Sequence, residues 1–336
     1  MKRLLSLSLS LSIVCAITAT LVLSGCKPVV PQSSSAPNAL APAKLAAGEK
    51  LQVVATTSIV AYIARNVGGD AIQITMLLPL GADPHTFQGS PRDVAALSDA
   101  HLILTNGAGL EEFLEPLIES AAPKGPVVAL SDGITLRQLE QHEEHDEHEE
   151  GEEHEGEHHH EGADPHTWTT PANVIIFAQN AERALSVLDP TNAETYRANA
   201  NAYVAQLQEL DAWVKSQIET IPAENRKLVT DHMAYGYYAD RYGLTQVGEV
   251  IPSFSTAAEP SAQAIADLEQ AIKAQGVRAV FVGVGFNPTL VERIAADTGI
   301  QVATLYGGSL GPTGSGAETY MGYIRYNTTA IVDALK

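Results

Sequence analysis

From residue 51 onward, short apolar runs of β type alternate with stretches whose apolar positions recur every three or four residues. The β-type runs fall into two sets. The first comprises Leu51–Thr56, Ala71–Leu78, His101–Thr105 and Val127–Leu130. The second comprises Lys227–Thr230, Thr245–Val250, Val277–Val284 and Gln301–Leu305. Helical periodicity fills the gaps, as at Pro91–Leu97, Ser261–Ala274 and Leu290–Asp297. Strands alternating with helices predict an α/β protein with parallel sheets flanked by helices. Between the sets, Tyr203, Leu207, Leu210, Val214 and Ile218 mark one stripe of a long helix over 191–219. Pro190 and Thr191 supply its start and Pro222 its stop. At about 1.5 Å per residue it would reach about 40 Å, enough to cross both sheets as a spine. The alternative is an ordinary packed helix within one lobe.

The pattern changes character in two places. Lys2 and Arg3 precede an apolar stretch over 4–23 that closes in Leu23-Ser24-Gly25-Cys26, the layout of an export signal. The Cys after Leu-Ser-Gly resembles a bacterial lipobox, which makes Cys26 the lipidated first residue of the mature chain. A plain signal peptide or a single membrane anchor is the alternative. Residues 26–49, rich in Pro, Ala and Ser, read as a flexible tether. The second break is 142–161, which holds 11 carboxylates, 7 histidines and 2 glycines. Such a tract cannot bury apolar surface and is expected to be a disordered loop. It concentrates much of the formal charge of −20, and that balance argues against nucleic-acid binding. Cys15 and Cys26, the only cysteines, both lie in the export region, so any metal site in the folded body must use other donors. The expected divisions are a signal peptide over 1–25, the tether, an N-terminal lobe over 51–188, a linking helix over 190–221 and a C-terminal lobe over 226–336.

Candidate chemistry centres on a phrase that occurs twice with one change, ADPHTF at 82–87 and ADPHTW at 163–168. Proline fixes its own φ and restricts the residue before it, so each Asp-Pro presents the following His, His85 or His166, on a stiffened backbone. A third candidate, His232, follows a β-type run, as His85 does, and ligands of open α/β sheets bind at the carboxyl ends of strands. Three imidazoles converging in a cleft between lobes would suit zinc, whereas calcium and magnesium prefer oxygen cages. His101 heads an apolar run and reads as structural. Asp231 either orients the His232 ring or caps a helix.

The phrases LPLGADPHTFQGSPRDV (78–94), NGAGLEEFLE (106–115), DPHTWTTPANV (164–174), DHMAYGYYADRYGL (231–244), TAAEPSAQAIADL (256–268) and ETYMGYIRYN (318–327) together resemble the ZnuA-like solute-binding lipoproteins of zinc/manganese ABC importers, cluster A-I type. The resemblance implies two α/β lobes joined by one long backbone helix, with the metal in the interlobe cleft. It implies His85, His166 and His232 as ligands, and a membrane permease with its cytoplasmic ATPase as partners of a monomeric, membrane-anchored carrier in the bacterial envelope. Many relatives add a carboxylate from the loop after the last strand of the second lobe. Here that loop reads LYGGSLGPTGSGAE, whose one acid, Glu318, opens a helix, and the segment FVGVGFNP offers no acid either. The fourth position therefore falls to water or a residue of the mobile tract.

Nitrogen donors favour Zn2+ as the transported ion over manganese, with copper or nickel also able to take imidazole. His142, His145, His148, His154, His158, His159 and His160 form a possible auxiliary low-affinity metal loop, the alternative being a solvated acidic insertion. Carrier rather than enzyme is the expectation. An exported three-His zinc hydrolase or lyase, or a passive zinc buffer or adhesin, are the other classes; no HExxH helix occurs. Affinity is expected to fall as pH drops through about 6.5, the value of a free imidazole.

Overall fold

The protein was analysed as a computed structural model, which describes residues 40–138 and 162–336. The first lobe runs β1 (Leu51–Ala55), α1 (Ser58–Gly68), β2 (Ile72–Met76), α2 (Pro91–Ser98), β3 (Leu102–Thr105), α3 (Leu114–Ala121) and β4 (Val127–Ala129). Two helices follow, α4 (Pro171–Leu188) and α5 (Ala193–Ile218). The second lobe runs β5 (Lys227–His232), α6 (Gly236–Tyr242), β6 (Thr245–Ile251), α7 (Ala262–Gln275), β7 (Ala279–Gly283), α8 (Thr289–Thr298), β8 (Gln301–Leu305) and α9 (Tyr320–Leu335).

Each lobe carries a parallel four-stranded sheet, ordered β2-β1-β3-β4 in the first and β6-β5-β7-β8 in the second. The central strand β3 is buried at all four positions, as expected of a parallel strand covered on both faces. The edge strand β2 exposes Gln73 and Thr75. In both sheets the chain order reverses between the first strand and its second neighbour, and at such a switch point the carboxyl ends of the strands open a crevice. The two crevices face each other.

Helix starts follow local chemistry. Thr57, Thr170, Ser261 and Thr319 each cap a helix by accepting a backbone N–H two or three residues into it. Pro171 opens α4, where its missing N–H costs nothing. Gly276, at φ 64°, ends α7, and the next residue, Val277, donates its N–H to Ile272 O at 3.1 Å. That cap is why the strand expected from Val277 begins at Ala279. Similarly Ala71 belongs to a 3-10 turn and β2 ends at Met76, although Leu77 and Leu78 still donate to Ala55 and Thr56 carbonyls at 3.0 Å.

The expected spine is α5, 26 residues long, with Tyr203, Leu207, Leu210, Val214 and Ile218 all buried. It packs against α4 and α1 on one side and α9 and α6 on the other. One apolar cluster accordingly runs from Leu51 and Leu104 through Leu207 and Leu210 to Phe281 and Tyr320, so the lobes share a core. Among the described residues no helix is long and apolar enough to cross a membrane.

Leu207 is fully buried in that shared core. Leu207→Ala should cost about 2–5 kcal/mol of unfolding free energy, measured by chemical denaturation. The transition should stay single; separate unfolding of two lobes would contradict a continuous core.

Candidate metal centre

The two copies of the repeated phrase fold alike. Asp83 Oδ1 accepts the backbone N–H of His85 at 2.9 Å, and Asp164 Oδ1 accepts that of His166 at 2.9 Å. Each Asp side chain thus closes a tight turn over its proline and fixes where the imidazole departs. His85 sits in the connection after β2, and His166 just before the 3-10 turn Thr167–Thr169 that leads into α4. His232 is the last residue of β5, at the switch point of the second sheet.

These three imidazoles come together. Their ring centroids are 5.1–5.8 Å apart, and one ligand nitrogen from each lies within 4.8 Å of the other two. The Nε2 atoms of His85 and His166 are 3.2 Å apart. Two nitrogens bound to one tetrahedral zinc at 2.0–2.1 Å would lie about 3.3 Å apart, so this edge of the triangle already has metal-site dimensions. His166 and His232 are buried, at 1% and 8% exposure, while His85 is half-buried at the mouth.

Two carboxylates set the tautomers. His166 Nδ1 lies 2.9 Å from Asp164 Oδ1, and His232 Nδ1 lies 2.8 Å from Asp231 Oδ1. An ionised carboxylate only accepts, so each Nδ1 carries the proton and each Nε2 offers its lone pair. Asp231 therefore orients the ring, and it also accepts the His232 and Gly283 N–H groups at 2.8 and 2.6 Å. Asp164, fully buried, is held from its other oxygen by Arg137 Nη1 at 3.0 Å. Arg137 Nε also pairs with Asp240 of α6 at 2.6 Å, which ties the His166 turn to the second lobe. Gly236 makes room for this arrangement, since a Cβ there would lie 1.7 Å from Arg137 Nη1. Asp83 is anchored in the same way by the Thr256 hydroxyl.

Burial, then the neighbouring imidazoles of His166 and His232, push His85 down to about 2. Burial also lowers His166, against the opposing pull of Asp164. In both rings burial thus disfavours the charged form, which is the state that cannot ligate a metal. Glu249 on β6, close enough to feel Arg137 and His232, is pushed up by burial.

The loop after β8 approaches the site without a charged side chain. Gly307, Gly308 and Ser309 line the cleft, and Gly307 O accepts from Trp168 Nε1 at 3.3 Å and Tyr323 Oη at 2.8 Å. Glu318 lies away from the cleft lining. Its carboxyl accepts the Gly314 N–H, and the backbone N–H groups of Glu318 itself and Gly314 hold its pKa below the usual range. His101 stands apart, its Nδ1 accepting the Gln52 N–H at 3.0 Å. Cys26 and the seven histidines from His142 to His160 lie outside the described residues.

Sequence reasoning did not single out Asp83, Asp164, Arg137, Thr256 or Glu249. The recurrence of Asp two places before each His was a usable signal for the first two. Arg137 and Thr256 meet the turns only through tertiary folding.

Residues 53–334 match the family described as zinc-uptake complex component A, periplasmic. The chain is 33% identical over 289 residues to the manganese-binding lipoprotein MntA of Halalkalibacterium halodurans, covering 86% of this chain and 89% of that one. It is 32% identical over 300 residues to the iron ABC transporter substrate-binding lipoprotein MtsA of Streptococcus pyogenes, covering 87% and 91%. Among solved structures it is similar to the periplasmic zinc-binding protein TroA of Treponema pallidum, with TM-score 0.74, 28% identity and coverage of 85% and 99%.

Two predictions follow from the geometry. Arg137→Gln leaves Asp164 half-anchored and should weaken metal affinity by about tenfold or more in competitive chelator titration, with the circular dichroism spectrum unchanged. The second concerns pH. Three ordinary imidazoles would cost about three decades of affinity per pH unit below about 6.5. Burial disfavours the protonated form of His85 and His166, so fewer protons compete with the ion and a gentler slope is expected between about pH 6 and 5. This is shallower than the fall expected from free imidazoles. Below about 6.5 the unfolded chain binds protons that the folded site refuses, so the metal-free protein should lose stability as pH drops through that value.

Proposed function

The chain belongs to the family of periplasmic A components of zinc-uptake complexes, and from that membership we propose that it captures zinc outside the cytoplasm and delivers it to an import permease. It is an extracytoplasmic substrate-binding protein of a metal ABC transporter. Zinc as the cargo, and His85, His166 and His232 as its ligands, are our reading. The observation that carries it is a set of three imidazole nitrogens within 4.8 Å of one another, with no carboxylate joining the group among the described residues. Both oxygens of Asp231, the nearest carboxylate on the second lobe, are already taken by N–H groups.

Nitrogen donors favour zinc over manganese by the general affinity order, whereas manganese is better served by oxygen donors. Manganese and iron enter as alternatives through the relatives named for them. The imidazole donor set supports zinc over manganese most directly, since iron also accepts imidazole.

Capture would proceed by exchange of the ion's waters for three imidazoles that need little reorganisation. Carrier action is favoured over hydrolysis because, among the described residues, no carboxylate facing the cleft is left free to act as a base. Asp83 and Asp231 are both engaged, and Glu249 does not line the cleft. We further propose that Cys26 carries a lipid anchor, with residues 26–49 as its tether, that the carrier is monomeric, and that the histidines of 142–161 form a weaker collecting segment.

The test is metal analysis after equilibration with equal zinc and manganese, on the full chain and on a variant lacking 142–161. Zinc should be retained at one tight site in both. Preferential retention of manganese would overturn the cargo, and loss of tight zinc binding in the deletion would overturn the three-histidine site.

A further inference from the structure

The cleft beside the three histidines is much larger than an ion needs. Its volume is about 550 Å³, whereas one water occupies about 30 Å³. Cavities of this size, mostly apolar with a few placed polar groups, are of the kind that hold small organic ligands. All three imidazoles open onto it, and so do Leu80 and Val284, which are 52% and 48% exposed on opposing lips. Phe286 and Leu310 add apolar wall, and the glycines of the loop after β8 present only main chain.

We infer that the metal is carried with a small bidentate organic ligand completing its coordination, of the α-aminocarboxylate class with an apolar side chain. The inference rests on the reading of the three histidines as ligands. Three neutral imidazoles leave a divalent ion with its full charge and with open positions facing the cavity. Among the described residues no lysine or arginine lines the cavity, and the carboxylates that do, Asp83 and Asp231, are engaged with N–H and hydroxyl donors. The ion's two positive charges offset up to two added negative charges, and the third charge of citrate would meet no cation among the described lining residues. An amine nitrogen and one carboxylate oxygen satisfy the ion, and an apolar side chain covers Leu80, Val284 and Phe286. On binding, the ligand's ammonium group gives its proton to solvent and displaces water from the metal.

The test uses the full chain loaded with cobalt(II), whose visible spectrum reports coordination, at about pH 8, with L-leucine and citrate as probes. L-Leucine should produce a saturable spectral change while cobalt stays bound, and calorimetry on the zinc-loaded protein should give one leucine per metal. Citrate should only strip the metal. Val284→Trp should bind cobalt as tightly as the parent and weaken the leucine response at least tenfold. The inference is overturned if leucine, like citrate, merely competes for the metal in proportion to its concentration, with no new spectrum. Failure of the parent to bind cobalt or zinc at all would overturn the metal-site reading itself, a distinct result.

Discussion

Bringing three imidazoles into one small volume is costly unless each is kept neutral and aimed. The hydrogen bonds from His166 and His232 to Asp164 and Asp231, at 2.9 and 2.8 Å, do the aiming. Burial and mutual repulsion do the rest, pushing His85 to about 2. Neighbouring groups hold the supporting carboxylates still. Arg137 and Asp240 clamp Asp164, the Gly283 N–H clamps Asp231, and Thr256 clamps Asp83.

Those clamps also join the lobes. Tyr237 Oη donates to Asp164 O at 2.8 Å and Tyr320 Oη to Trp168 O at 2.8 Å. Leu310 N donates to Ser58 Oγ at 3.0 Å, and Gly81 N to Ser309 Oγ at 2.9 Å. Beneath them α5 shares one apolar core with both sheets. Opening the cleft by swinging whole lobes would break a packed interior, not a hinge. The half-buried His85, on a connection without regular structure, is the ring of the three with the least surrounding restraint. Unlike the other two, its ring meets no carboxylate at Nδ1 among the described residues.

The loop after β8 brings no carboxylate to the cleft among the described residues. Gly307 and Gly308 line it there, with the Gly307 carbonyl held by Trp168 and Tyr323. Without a carboxylate, three imidazoles are a softer donor set than a mixed one. The same omission leaves space.

Much of this was legible from residue order alone. Apolar runs and helical stripes marked both sheets and the spine, since those periods reflect burial of one face or both. Strand ends slipped where a cap competed for the same N–H, as at Val277. His85 and His166 were visible as a repeat because an Asp-Pro turn is a local device, written within a few residues. Asp231 beside His232 was visible for the same reason, with its role left open between ring and helix. What only the tertiary structure decided is which distant groups meet those turns: Arg137 with Asp164, Thr256 with Asp83, Trp168 with Gly307. Such contacts depend on the register of two sheets and the angle of one long helix. No local pattern encodes them, because the energy that selects them belongs to the shared core rather than to either partner.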